Sequence, residues 1–410
     1  MRGAAHPRRH RALARTVCLA AVLALWAPPP SAADGPDDVP GMVLDPSAPR
    51  WVIDRFAGNS TAGPSFLQGP ARQAGGLGKP AVEPAPDGSV FLGAGMEKWR
   101  KDKIVRVSPA GTLRLVAGGG WNLGDGPARE ARIAVNHRGG GLVHNRADGT
   151  VYFVHPTVPA VRRLLRRDGE WYVETAAGDP TEAGHADGPC AEARFDAPRS
   201  LAITSAGTVY VLDGTHVLRK IADGRVTTLA RFRGSQKIVD GPLDEATLAV
   251  TNMSGQIALG ENDHTLYVAD HWHFAVRKID LEKRTISTVV LSENRPGHKG
   301  TRPRHADGPA LTDASFISGI AFVCWDPVHR ALWVGGPDEN RLRWLRDGRV
   351  WTVLPTRRRR WPEDALGVDP ADAFFCWVHV RAVDRGGQAY IVASSSPTGV
   401  WRARDRGTAP

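Results

Sequence analysis

Short apolar runs recur along most of the chain, separated by turns rich in Gly, Asp and Pro. Within each run, apolar and polar positions tend to alternate, which is the period of a β-strand. One run in each set carries an aromatic residue that returns every 57 to 66 residues, as in TVYFV, TVYVL and TLYVA. These aromatic residues are Phe91, Tyr152, Tyr210, Tyr267, Trp333 and Tyr390. The spacing predicts six similar β-units.

Each unit contains four predicted strands. An apolar run precedes the aromatic strand, a third run with an arginine follows it, and a fourth run comes after a turn such as ADGR or RDGR. The arginines of the third run are Arg106, Arg162, Arg219, Arg277, Arg343 and Arg402. Four-stranded antiparallel sheets repeated about an axis are the blades of a β-propeller. The pattern therefore predicts an all-β, six-bladed β-propeller over residues 51–405.

The two ends of the chain are predicted to share a blade. The sixth unit ends at GVWRARDRG without a fourth strand, whereas WVIDRFAG at 51–58 has the pattern of that strand and precedes the first complete unit. We expect this N-terminal strand to close the last blade, which leaves no free sheet edge. Residues 34–50, rich in Pro and Asp, are predicted to be a flexible lead-in, and residues 406–410 a C-terminal tail.

Asp-Gly-Pro occurs four times in the links between predicted blades, at 125–127, 187–189, 240–242 and 307–309. The surrounding His, Cys and Glu residues of HADGPCAEARF have the chemistry of a metal or catalytic site, but the recurrence favours a turn. Asp bonds its local backbone, Gly adopts unusual φ angles and Pro fixes the exit of the chain. We interpret these acids as structural. The apolar residues expected to anchor the links are Ile133, Phe195, Leu248 and Phe316.

The third unit, HADGPCAEARFDAPRSLAITSAGTVYVLDGTHVLRKI, resembles the NHL repeat, which combines an Asp-Gly turn, Ala-x-Phe, a Pro, Gly-x-Tyr-Val-x-Asp and an Ile-Arg strand. The run TLYVADHWHFAVRKI resembles the second half of that repeat. The Asp after the aromatic occurs as Asp213 and Asp270 and is absent from the other units. The resemblance covers about 51–405 and implies an NHL-type propeller. Because that family includes ligand-binding propellers, interaction modules and an amidating lyase, it does not specify a function.

Residues 1–33 have the features of a secretory signal peptide. Five arginines and no acidic residue accompany the short apolar run TVCLAAVLALW, and Ser31-Ala32-Ala33 fits a cleavage site. We expect a secreted or periplasmic protein without a membrane span, since the run is too short to cross a bilayer. Removal of five positive charges lowers the formal net charge from +10 to +5. This modest balance does not indicate nucleic acid, and no nucleic-acid partner is expected.

Three cysteines, Cys190, Cys324 and Cys376, follow the predicted signal. This odd number excludes a dense disulfide framework. Cys324 and Cys376 fall near the innermost strands of adjacent predicted blades. A disulfide between them and two buried thiols are both open alternatives.

Polar residues are predicted around one mouth of the central channel. Alignment of the units on the link anchors places there Glu83, His137, Arg199, Asn252 and His379. A polar, net basic ring suits a carboxylate, a phosphate or a sulfated group, although channel mouths also tolerate polar residues without binding a ligand. The set holds too few carboxylates for a calcium cage and no zinc-type spacing, so no metal ligands are assigned. A divalent cation in the channel remains an alternative.

A second candidate is the charge run Arg357, Arg358, Arg359 and Arg360 followed by Trp361. Guanidinium groups beside an indole suit an acidic polysaccharide or a phosphate-bearing surface. A solvated loop is the alternative, because Glu363 and Asp364 follow directly. His271 and His273 lie in a predicted turn and are expected to be solvent-facing rather than metal ligands.

These features favour an exported binding or interaction scaffold that works as a monomer. Its predicted partner is an unidentified protein, a polysaccharide or a small anionic ligand. The alternative is a divalent-cation-dependent hydrolase, lactonase or lyase with its site at the channel mouth. The motifs GxSxG, GxxxxGK and GxGxxG are absent from the sequence, so no catalytic residue is assigned and we lean towards a protein that is not an enzyme.

Overall fold

A computed structural model places six antiparallel sheets in a ring and confirms the six-bladed, all-β propeller. All described residues belong to the unit Pro40–Pro410. The structure describes residues 45, 48, 51–58, 68–75, 77–94, 102–135, 141–250, 255–295, 306–336, 339, 341–355, 379–393 and 399–405.

The strands follow the chain from blade to blade. Blade 1 contains β2 (Gly69–Pro70), a 3-10 turn (Ala71–Gln73), β3 (Ala81–Pro84), β4 (Val90–Ala94), β5 (Lys103–Val107) and β6 (Thr112–Ala117). Blade 2 contains β7 (Gly126–Pro127), β8 (Leu142–His144), β9 (Val151–His155), β10 (Val158–Arg167) and β11 (Glu170–Gly178). Blade 3 contains β12 (Gly188–Pro189), β13 (Pro198–Ile203), β14 (Val209–Asp213), β15 (Val217–Ala222) and β16 (Arg225–Arg231).

The remaining blades repeat this order. Blade 4 contains β17 (Gly241–Pro242), β18 (Ile257–Leu259), β19 (Thr265–Asp270), β20 (Ala275–Asp280) and β21 (Thr285–Leu291). Blade 5 contains β22 (Gly308–Pro309), β23 (Phe322–Asp326), β24 (Ala331–Gly335), β25 (Arg341–Arg346) and β26 (Arg349–Pro355). Blade 6 contains β27 (His379–Val383), β28 (Ala389–Ala393), β29 (Gly399–Asp405) and β1 (Trp51–Ala57).

The N-terminal strand closes the ring as predicted. β1 pairs antiparallel with β29, with Trp51 opposite Asp405 and Ile53 opposite Ala403. Ile53 is fully buried, and it shares one apolar cluster with Trp401 of the same blade and Trp333 of blade 5. The innermost strand of blade 6 also contacts that of blade 1. The two ends of the chain therefore contribute to a single blade.

The Asp-Gly-Pro links have a structural role. Each Gly-Pro pair forms a two-residue strand on the outer edge of the following blade. The preceding Asp187 accepts hydrogen bonds from the backbone N (2.8 Å) and Oγ1 (2.9 Å) of Thr228 and from Nη2 of Arg219 (2.8 Å). Equivalent Asp, Thr and Arg sets are Asp125, Thr175 and Arg162; Asp240, Thr288 and Arg277; and Asp307, Thr352 and Arg343. The link anchors are buried as expected.

All six predicted arginines lie in the third strands, but two of them occupy a different ladder position from the other four. In blade 3 the ladder pairs Arg219 with Thr228, whereas in blade 1 the equivalent pair is Val105 with Leu115. In blade 6 Trp401 takes this position. Arg106 and Arg402 lie one residue later, opposite the recurring aromatic. Blade 1 also has Gln68 in place of the link Asp, so a buried arginine there would have no carboxylate partner.

Candidate functional site

The central channel runs between the innermost strands of the six blades and encloses a cavity of about 610 Å³. One ladder position in each of these strands lies opposite the recurring aromatic residue. The residues at this position are Glu83, Val143, Ala202, Ala258, Cys324 and Ala382. Five of them are apolar or weakly polar and small enough to leave the channel open. Glu83 introduces a carboxyl group at this level.

Arg381 is the most unusual side chain in the channel. It lies at a register shift of β27, between Val380 and Ala382, and such bulges re-aim a side chain. The residue is only 8% exposed, yet its Nε and Nη1 have no hydrogen-bond partner among the described residues. Burial lowers the pKa of its guanidinium to about 10. Arg381 is therefore still charged at neutral pH, and no carboxylate of the described residues is paired with it.

Glu83 does not supply the missing negative charge at neutral pH. Burial raises the pKa of its carboxyl to about 8, even though the backbone N–H of His144 and the charge of Arg146 favour ionisation. The carboxyl reaches water only through the channel and is otherwise surrounded by protein. It is consequently protonated for the most part at pH 7 and is able to donate a hydrogen bond.

The two histidines of the channel region are also uncharged at neutral pH. Burial and the positive charge of Arg146 lower the pKa of His144. Burial together with the charges of Arg381 and Lys79 holds the pKa of His379 well below its usual range. Gln256, which is 5% exposed, has a buried Oε1 without a partner among the described residues. Glu83, His144 and Gln256 thus line the same cavity as the charged guanidinium of Arg381.

The acids at the end of the channel have other partners. Glu261 accepts hydrogen bonds from Nζ of Lys278 at 2.9 Å and from the hydroxyl of Tyr267 at 3.2 Å. Asp263 accepts the backbone N–H of Ser205 at 3.0 Å. Glu261 is paired with Lys278, and Arg146, Arg381 and Arg385 line the same cavity, so its lining is net positive. Such a site favours an anion.

The predicted mouth residues do not all lie at one level. His379 and Arg199 lie at the starts of their inner strands, whereas Glu83 lies two ladder positions further along the channel than His379. Nε of Arg199 donates a hydrogen bond to the carbonyl of Gly214 at 2.7 Å. His137 and Asn252 lie outside the described residues, as do Arg357, Arg358, Arg359, Arg360 and Trp361. Binding by these residues remains a prediction.

The expected exposure of His273 was wrong. The side chain is buried, with Nδ1 2.8 Å from Oδ2 of Asp270 and Nε2 2.8 Å from the carbonyl oxygen of Ser235. A carbonyl from the preceding link, distant in sequence, therefore holds the ring inside. Cys324 is buried in β23 as a free thiol, which contradicts the disulfide alternative, while Cys376 lies outside the described residues.

Within the described ranges, no group of three or more His, Cys, Asp or Glu side chains is arranged to hold a metal ion. No helix in the described part of the chain is long and apolar enough to cross a membrane.

Comparisons with known proteins agree with the fold. No protein-family model matches the chain. Teneurin-m of Drosophila melanogaster is 26% identical over 290 residues, covering 66% of this chain and 10% of teneurin-m. NHL repeat-containing protein 2 of Bos taurus is 30% identical over 136 residues, covering 31% of this chain and 17% of that protein. The chain thus spans less than a fifth of either curated relative.

A solved structure adds support at the level of architecture. An auxiliary nutrient binding protein from Bacteroides ovatus ATCC 8483 superposes with a TM-score of 0.57 at 12% identity, covering 87% of this chain and 77% of that chain. At this identity the likeness shows the fold alone. With its six blades, its recurring Asp-Gly-Pro links and a partial match to an NHL-repeat relative, the chain is an NHL-like β-propeller.

Proposed function

We propose that this protein is a binding propeller that holds a small anionic ligand in its central channel, with Arg381 as the anchor. The observation that supports this proposal is a guanidinium that is 8% exposed and has two nitrogens without partners in the described part of the chain. Leaving such a charge buried and unpaired is costly, and proteins retain such groups where a ligand supplies the partner. The anion completes the hydrogen bonds of Arg381.

The surroundings of Arg381 favour a carboxylate ligand with further polar groups. A guanidinium binds a carboxylate through two parallel N–H bonds. The protonated carboxyl of Glu83 supplies a donor, and Oε1 of Gln256 supplies an acceptor. A cavity of about 610 Å³ lies within the usual size of small-molecule sites. The ligand is therefore a small molecule in this proposal rather than a polymer.

The cation-dependent hydrolase or lyase remains a second candidate with less support. A divalent cation is stabilised by ionised carboxylates, whereas the described interior of the channel carries the charge of Arg381 and a largely protonated Glu83. The electrostatics favour an anion over a cation at this level. We also propose that the protein acts outside the cytoplasm, which the signal-like segment 1–33 supports.

Thermal-shift measurements test the proposal. Wild-type protein is heated at pH 7 with acetate, succinate, citrate, phosphate or sulfate, beside Arg381→Gln and the control Arg225→Gln, which alters an exposed arginine on an outer strand. An anion at 100 times its Kd stabilises the folded state by about 2.7 kcal/mol. We expect this stabilisation in wild type and Arg225→Gln and its loss in Arg381→Gln. Equal stabilisation of Arg381→Gln, or none of wild type by any anion, would contradict the proposal.

A further inference from the structure

A second concave region lies at the interface of blades 4 and 5, around Trp272. The indole is 48% exposed in the turn between β19 and β20, which is unusual for so large an apolar group. It lines two depressions, of about 850 Å³ and about 410 Å³. Gln236 also lines both of them. Trp272 therefore stands between two neighbouring cavities.

The turn that carries Trp272 is held firmly. The backbone N–H of Trp272 donates a hydrogen bond to the carbonyl of Ala249 at 3.1 Å. The backbone N–H of Phe274 donates to the carbonyl of His271 at 3.2 Å. The next residue, His273, is buried, and both ring nitrogens are bonded. These bonds hold the backbone of Trp272 in place before any ligand arrives. This preorganisation lowers the entropic cost of binding.

The polar rim of the larger cavity is cationic. The carboxylate of Asp240 is already paired within the protein, because it accepts hydrogen bonds from Arg277 and Thr288. Lys237 and Arg295 also line the cavity, and no carboxylate is paired with Lys237 among the described residues. Arg295 uses one nitrogen on the carbonyl of Ser292 at 3.2 Å. The polar groups left for a ligand are the amide of Gln236 and the cations of Lys237 and Arg295.

We propose that this surface binds an acidic saccharide chain built from uronate units. The apolar face of one sugar ring packs on the indole of Trp272, and its carboxylates pair with Lys237 and Arg295. Aromatic side chains provide large, rigid contact area, and charge-assisted bonds to carboxylates supply orientation. A chain of linked rings also matches two cavities that share one indole. This site is separate from the channel and does not depend on the function proposed for Arg381.

Isothermal titration calorimetry tests the inference with pentamers of galacturonate, glucuronate and mannuronate, and with maltopentaose as a neutral pentamer. We expect at least one acidic pentamer to bind at least tenfold more tightly than maltopentaose. Trp272→Ala should weaken that binding about tenfold, the loss typical of a truncated aromatic anchor. Trp121→Ala is the matched control, since Trp121 is 67% exposed in the link before blade 2 and lies in neither cavity.

Lys237→Glu provides a second variant at an exposed position, which keeps the test decisive if Trp272→Ala fails to fold. It should also weaken acidic binding about tenfold and reduce its dependence on salt. Arg381→Gln should leave it unchanged. The inference is overturned if no acidic pentamer binds, if maltopentaose binds as tightly, or if Trp121→Ala weakens binding as much as Trp272→Ala.

Discussion

The substitution Arg381→Met should stabilise the ligand-free protein. Methionine retains much of the length and apolar stem of arginine but removes the charge. Among the described residues, that charge has no carboxylate partner and two guanidinium nitrogens have no acceptor. Removal of a buried, unpaired charge therefore relieves a penalty. Stabilisation on loss of a conspicuous polar residue is typical of a binding site that trades stability for function.

The size of the effect follows from the lowered pKa of the Arg381 guanidinium. Burial lowers the pKa of Arg381 from 12.5 to about 10. At about 1.4 kcal/mol for each tenfold change in proton affinity, this corresponds to about 3 kcal/mol. Because the folded-state pKa is the lower one, the penalty is complete below pH 10 and is relieved as the pH rises from 10 to 12.5. At pH 7 the full effect should be observed.

Arg343→Met is the matched control. Arg343 is fully buried and pairs with Asp307, the carbonyls of Ser315 and Ala306, and the ring of Phe316. Its loss removes the guanidinium from the buried carboxylate of Asp307 and should cost about 3 to 5 kcal/mol. Urea unfolding of dialysed protein at pH 7, followed by tryptophan fluorescence, measures both variants. The reasoning is refuted if Arg381→Met loses as much stability as Arg343→Met.

Two further predictions follow from the channel and from the ring. The pKa of Glu83 is raised to about 8 in the folded protein. The free energy of unfolding should therefore fall as the pH rises from 4.5 through 8. The fall is up to about 5 kcal/mol, and it is smaller where water in the channel solvates the carboxylate. Glu83→Gln should flatten this decline in urea midpoints between pH 5 and pH 9, and an unchanged slope would show that Glu83 ionises normally. Ile53→Ala should cost about 2 to 5 kcal/mol in urea unfolding, because Ile53 is fully buried between β1 and its neighbours. No loss of stability would show that β1 does not pack in blade 6.

The architecture was predictable because each blade meets the same packing requirement in the same way. The six aromatic residues lie in one strand of every sheet, so their spacing reports the repeat directly. Closure required only a count of strands. The ladder positions of the third-strand arginines were harder to predict, since Arg106 and Arg219 look alike in sequence. Arg219 bonds Asp187 from the preceding link, whereas Arg106 bonds Asp87 and Ser89 of its own blade.

The channel site was harder to predict. In the sequence, HVRAV resembles an ordinary alternating strand, and the register shift that directs Arg381 is visible only in the paired ladder. Val380 takes the ladder position that is also apolar in the other blades, and Arg381 is the extra residue that follows it. The equivalent residues are Val82, Leu142, Leu201, Ile257 and Val323. Whether Arg381 has a partner depends on strands from all six blades. No local sequence pattern reveals how those strands are arranged.

The most direct test of a ligand site at Arg381 is a crystal structure of the protein with the anion selected by the thermal-shift panel. The account predicts electron density for the anion in the central channel, within hydrogen-bond distance of Nε and Nη1 of Arg381, and its absence from crystals of Arg381→Gln grown in the same way. Density elsewhere on the molecule with an empty channel, or the same density in both proteins, would contradict it.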